Sequence, residues 1–121
     1  MTIDEMQDIL DGLAEELPFA FYEGLNGGIL LLPEVKYSDY AKNKDLCILG
    51  EYCRNHAMGR YIVIYYGSFI RTFGHLPKEV MRAELRKTLR HEFTHHIEGL
   101  AGERGLEKKD ADYLRDYLQR F

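Results

Sequence analysis

One long amphipathic segment constrains the fold of this 121-residue chain more than any other feature. Pro77 stands where a proline favours the first turn of a helix, and the pattern after it predicts a helix to about Leu100. Apolar residues recur along it at three- and four-residue intervals and form one stripe: Met81, Leu85, Leu89, Phe93, Ile97 and Leu100. A helix of this kind has to bury its stripe against other elements, so it predicts a globular domain built around it.

The segment before this helix predicts one further helix and a small sheet. Thr2 and Glu5 have the spacing of a capping box at the start of a helix over residues 2–17, and Pro18 ends it. Strands are expected at residues 29–32, 45–53 and 61–66, where β-branched and aromatic residues concentrate. Gly50 is a possible bulge in the second of them. A short helical turn is expected over residues 68–73.

The segment after the long helix predicts a loop and one more helix. Gly99, Gly102 and Gly105 predict the loop, and residues 110–121 predict the helix. The order of elements predicts the α+β class: a small, mostly antiparallel sheet packed against the long helix, with N-terminal and C-terminal helices. We expect residues 1–121 to form a single domain.

Charge and cysteine content exclude several functional classes. The formal net charge is −4, which argues against nucleic acid and an anionic membrane as partners. The basic cluster at Arg82, Arg86, Lys87 and Arg90 alternates with acidic residues, which is typical of a solvated helix face. Cys47 and Cys53 are too few for a disulfide scaffold and lack the spacing of a metal or redox pair. Neither a signal peptide nor a membrane-length apolar run is visible, so we expect a cytoplasmic protein.

The sequence His91-Glu92-Phe93-Thr94-His95 lies inside the long helix and carries the chemistry. Residues four apart project from one face of a helix, so the two imidazoles can bind one metal ion. Both histidines lie away from the apolar stripe. Glu92 falls beside them, where a general base can take a proton from metal-bound water. His96 projects towards the apolar side and is interpreted as a partly buried structural residue rather than a ligand.

Spacing alone leaves the third metal ligand open. A catalytic zinc usually has three protein ligands and one open position. Glu98 shares the face of His91, but a rigid helix rarely brings positions i, i+4 and i+7 to one ion. Glu103 follows Gly102, where the chain can turn back, and Asp110 stands at the expected start of the last helix. Both can equally serve as loop or cap residues.

The paired His95-His96, the HExxH sequence and the short chain resemble the minimal zincins, short bacterial proteins of zinc metallopeptidase type. Their pattern reads HExxHxxGxxD, and this chain departs from it after His96, with Glu98 at the glycine position and Ala101 at the aspartate position. The resemblance implies an insertion over residues 98–109, which favours Asp110 over Glu103 as the third ligand. It also implies a sheet whose edge strand flanks the metal cleft.

The function predicted from these features is zinc-dependent hydrolysis of peptide bonds in a peptide or protein substrate. Zinc would be held by His91, His95 and a carboxylate, with Glu92 as general base. The alternative is a non-catalytic zinc-binding domain that binds a partner peptide or uses the metal structurally. A fourth protein ligand would favour that alternative, and an open coordination position near Glu92 would favour catalysis.

Overall fold

The computed structural model describes residues 1–39, 46–103 and 107–120. In these ranges the chain forms four α-helices, one 3-10 turn and two small sheets, which confirms the predicted α+β class. None of the helices in the described ranges is long and apolar enough to cross a membrane.

The helices follow the predicted order. They are α1 (Ile3–Glu15), α2 (Tyr66–Phe73), α3 (Lys78–Glu103) and α4 (Lys108–Gln119), and the 3-10 turn spans Phe19–Tyr22. The predicted capping box is present: the Glu5 amide donates to Thr2 Oγ1 at 3.1 Å, and the Thr2 amide donates to Glu5 Oε1 at 3.0 Å. The turn expected at residues 68–73 is a full helix that begins directly after the last strand.

The main sheet is mixed, and two of the three strand pairs in the described residues are antiparallel. Its strands are β1 (Gly28–Leu32), β4 (Gly50–Asn55) and β5 (Gly59–Tyr65), in the order β1-β5-β4, and a separate pair joins β2 (Lys36–Tyr37) to β3 (Cys47–Ile48). β4 and β5 form an antiparallel hairpin, whereas β1 runs parallel to β5. A parallel pair requires a long crossover, and here the chain from residue 33 to residue 58 provides it.

The core lies between the sheet and the helices. Ile62 and Ile64 of the central strand are fully buried. Every residue of the predicted α3 stripe is also buried, which confirms the periodicity argument. Four aromatic rings from three elements join this layer, because Phe93 packs edge-on against Phe21 and Tyr22 while Phe21 also contacts Tyr117. The stripe therefore fixes which face of α3 is left for the histidines.

Two glycine-based expectations were wrong. α3 continues through Gly99 and Gly102 to Glu103, because a glycine weakens a helix by only about 1 kcal/mol and does not end it. A Cβ at Gly99 would lie 3.0 Å from Arg60 Nη1, so this glycine lets a strand side chain approach the helix. Gly50 pairs in register with Ile64 and opens β4 instead of forming a bulge. Residue 45 of the expected second strand, and Gly105, lie outside the described residues.

Candidate metal centre

The two histidines of the HExxH sequence lie one above the other on the exposed face of α3. Their Nε2 atoms are 3.1 Å apart, and the rings are nearly perpendicular, with centroids separated by 4.7 Å. Two nitrogen ligands at about 2.0–2.1 Å from one tetrahedral zinc ion stand about 3.3 Å apart. The separation of the His91 and His95 Nε2 atoms is therefore compatible with two positions of a zinc coordination sphere.

Glu92 is placed differently, because it is buried although its two motif partners are exposed. Burial raises the pKa of the Glu92 carboxyl above its ordinary value, while the nearby imidazoles and a hydrogen bond from the Tyr52 backbone amide act in the opposite direction. A carboxylate that holds a proton more readily than a solvated one is suited to general acid–base work.

β4 is an edge strand, and its open side faces the histidines. The Tyr65 amide donates to the Leu49 carbonyl at 3.0 Å, which marks a hydrogen-bonded pair of the antiparallel ladder. The alternation of such a ladder directs the backbone groups of Gly50 and Tyr52 away from β5. The hydrogen bond from the Tyr52 amide to Glu92 agrees with this orientation. Gly50, Glu51 and Tyr52 face His91, Glu92 and His95 across a cleft of about 520 Å³.

A buried hydrogen-bonded chain fixes the distance between this strand and the helix. His96 is fully buried, and its Nε2 lies 2.8 Å from the Glu23 carbonyl, which can only accept, so Nε2 donates. Nδ1 of the neutral ring then accepts from the Tyr52 hydroxyl at 2.9 Å. Arg60 donates to the same hydroxyl at 3.3 Å and pairs with Glu103 at 2.7 Å. His96 is thus structural, and it ties α3 to β4.

Glu51 borders the cleft, but its carboxylate is held by other side chains. Lys36 Nζ lies 2.5 Å from Glu51 Oε1, and the Tyr65 hydroxyl donates to the same oxygen at 2.6 Å. Burial and the hydrogen bond to Glu51 raise the pKa of Tyr65 to about 12. Burial would raise the pKa of Glu51, but these two hydrogen bonds lower it overall, so Glu51 stays ionised at neutral pH.

The structure does not bring either carboxylate predicted as third ligand to the histidines. Asp110 is exposed and borders a different cavity, formed with Ile97 and Leu100 from the core side of α3. The carboxylate of Glu103 pairs instead with two arginines, Arg54 at 2.5 Å and Arg60 at 2.7 Å. The reason is the continuation of α3 to Glu103, which carries this residue two turns beyond His95 before the chain can turn back.

Within residues 1–39, 46–103 and 107–120, no group of three histidine, cysteine or acidic side chains is arranged to hold one ion. Glu98 is exposed on the histidine side of α3, but it too stands outside such a group, as expected for a rigid helix. The geometry therefore assembles a pair of nitrogen donors and an adjacent carboxylic acid, with the other coordination positions facing the cleft.

Comparison with known proteins relates the chain to a solved structure of unassigned activity. No protein-family model and no curated protein matches it. The structure of a conserved hypothetical protein from Thermus thermophilus matches with a TM-score of 0.71 and 34% sequence identity. The match covers 84% of this chain and 98% of the other. This chain belongs to the same family as that protein. The shared fold supports the architecture around α3, and the chemistry has to be argued from the site.

Sequence reasoning missed Tyr52, a strand residue that borders the site. Its ring anchors β4 to His96, and its amide reaches Glu92. The only local signal is its position two residues after Gly50, which places both on one face of a strand. Nothing local indicates that this strand runs beside α3.

Proposed function

We propose that this protein is a zinc-dependent metallopeptidase of the minimal zincin type. The observation that carries the proposal is the 3.1 Å separation of the Nε2 atoms of His91 and His95, on a cleft that also contains the buried Glu92. Exposed imidazoles at that separation suit one zinc ion. The open edge of β4 across the cleft suits a peptide, because a strand edge binds an extended main chain through backbone hydrogen bonds.

Each side chain has a distinct role in this proposal. His91 and His95 hold the metal. When bound, zinc would supply an acidic water and a Lewis acid for the scissile carbonyl. Glu92 takes the proton from the attacking water and passes it to the leaving amine, which its burial and raised pKa favour. Tyr52 and His96 hold β4 at its distance from Glu92 through the hydrogen bond between their side chains.

The proposal keeps a carboxylate as third ligand, and the present contacts of each candidate bear on how far it would have to move. Glu103 would have to leave Arg54 and the buried Arg60, which would lose its charge partner. Asp110 would have to cross from the core side of α3. Glu98 already lies on the correct side, one turn after His95. Metal content of the three alanine variants, measured separately, identifies the ligand.

The first test is the zinc content of protein purified without chelator or nickel. About one zinc per chain in the wild type, and none in His95→Ala, is expected if the two imidazoles form the site. A wild type that contains no zinc and takes up none on addition contradicts the proposal.

The second test separates catalysis from metal binding. Glu92→Gln should keep zinc and lose peptide hydrolysis by about a hundredfold or more, because a general base typically contributes that much. Glu79→Gln, on the first turn of the same helix, is the matched control and should leave both properties unchanged. Zinc binding without hydrolysis in the wild type would favour the non-catalytic zinc-binding domain instead.

A cytoplasmic location belongs to the same proposal. Cys47 and Cys53 are both free thiols, which is usual in a reducing compartment. Cell fractionation checks it, and recovery in a secreted or membrane fraction would contradict it.

A further inference from the structure

The cleft at the histidines continues along the strand side of α3. Towards the N-terminus of α3 it opens into a groove of about 550 Å³, which we call the forward groove. Its walls are the segment 47–50 on the strand side and the Glu84–Glu92 face of α3, and Phe73 also lines it. It shares Gly50, His91 and Glu92 with the histidine cleft, so the two are continuous.

The length of the forward groove follows from helix geometry. Glu84, Thr88 and His91 stand at positions i, i+4 and i+7 and so line one face of α3. Seven residues of helix rise about 10 Å. An extended peptide advances about 3.3 Å per residue, so the forward groove has room for about three residues beyond the histidines.

The opposite direction is closed by side chains that join the strand to the helix. β4 runs alongside α3, with Gly50 against Thr88, Tyr52 against His96 and Arg54 against Glu103. Glu103 forms ion pairs with both Arg54 and the buried Arg60 just past Tyr52. A peptide lying along β4 therefore meets this ionic bridge soon after it passes the histidines.

The chemistry of the forward groove indicates which peptides it takes. Three of the residues that line the forward groove are half-buried and apolar: Ile48, Leu49 and Phe73. Glu84 and Lys87 on the helix rim have opposite charges and give no net preference for a charged side chain. The outward-directed backbone groups of Gly50 supply main-chain hydrogen-bonding positions.

We infer that the forward groove is a one-sided peptide-binding site that takes about three residues of an extended, apolar peptide on one side of the scissile bond. The position of the scissile bond rests on the proposed function. Binding of the peptide in the forward groove does not depend on a metal. The substrate class is thus an unfolded or terminal peptide segment that has an apolar residue next to the scissile bond. The protein binds this segment mainly on one side of that bond.

Amide NMR of the zinc-free protein tests the binding directly. The probes are acetyl-Ala-Leu-Ala-amide and its counterpart acetyl-Ala-Glu-Ala-amide. The leucine peptide should shift the amides of Ile48, Leu49, Gly50 and Thr88 and leave Arg54 unmoved. Its dissociation constant should be about tenfold lower than that of the glutamate peptide, because only the leucine side chain gains from apolar burial. Shifts centred on Arg54, or equal affinities, would overturn the inference.

A matched pair of variants localises the site. Glu84→Trp places a bulky ring on the helix wall of the forward groove and should weaken leucine-peptide binding about tenfold or more. Glu79→Trp makes the same change on the first turn of the same helix, outside the groove, and should leave binding within about twofold. Equal effects of the two substitutions would overturn the inference.

Failure of the forward-groove inference and failure of the peptidase proposal give different experimental results. Binding in the forward groove without hydrolysis by the zinc-loaded protein supports the groove and refutes the peptidase. Hydrolysis that is insensitive to Glu84→Trp, with no shifts at residues 48–50, supports the peptidase and refutes the groove.

Discussion

Removing the Tyr52 hydroxyl tests whether the buried hydrogen-bonded chain holds the edge strand against α3. Tyr52→Phe keeps the ring and creates no large cavity, so the change is confined to two hydrogen bonds. In the first, the Tyr52 hydroxyl donates to Nδ1 of the fully buried His96 at 2.9 Å. In the second, the same hydroxyl accepts from Arg60 at 3.3 Å. Taking away a partner of a buried polar group costs about 1–3 kcal/mol of unfolding free energy.

Urea denaturation followed by circular dichroism measures that loss. With an m value of about 1–3 kcal/mol/M, the midpoint should fall by about 1 M while the slope stays unchanged. Tyr61→Phe is the matched control: its hydroxyl, on the neighbouring strand, accepts from Asn55 at 3.3 Å at an exposed position. The control should lose less than about 0.5 kcal/mol. A Tyr52→Phe midpoint equal to that of Tyr61→Phe would refute the anchoring role.

Two further substitutions test packing and charge. Gly50→Ala should cost about 1–3 kcal/mol in the same urea assay, because the new Cβ would lie 3.0 Å from Thr88 Cγ2, and a change below about 0.5 kcal/mol would show that α3 can move away. The hydrogen bond from Arg86 lowers the pKa of Glu16 below its ordinary 4.5, so the stability that this ion pair contributes is present above that pH and is lost as pH falls through the lowered value. Glu16→Gln should therefore be less stable than the wild type at pH 7 and should lose less stability between about pH 5 and pH 2; parallel pH profiles would contradict this.

The features that could be predicted from the sequence are those encoded within one helix. The α3 stripe has six apolar members at three- and four-residue intervals between Met81 and Leu100, so the buried face of α3 could be predicted from periodicity alone. The approach of His91 to His95 follows from their spacing of four, because a helix brings such residues together whatever surrounds it. The burial of His96 could be predicted from the same helical periodicity, because this position projects towards the apolar stripe.

The features that could not be predicted depend on contacts between distant segments. Tyr52 and His96 are 44 residues apart, and Arg60 and Glu103 are 43 apart. No local pattern reports which strand lies beside a helix or in which direction it runs, so the parallel β1–β5 pair and the edge position of β4 were also beyond reach. The position of the third-ligand candidates could not be predicted for the same reason, since it depends on where α3 ends.

The independence of the core from the histidines has a consequence for the order of assembly. The apolar layer under α3 is formed by buried hydrophobic residues alone, and the imidazoles of His91 and His95 stand on the outer surface of the helix. If the protein binds zinc as proposed, folding would precede zinc binding, unlike in zinc fingers, whose chain folds only around its metal. A chelator should then remove zinc and leave a folded apoprotein that can bind zinc again. The zinc concentration in the cell would determine what fraction of the folded protein carries zinc.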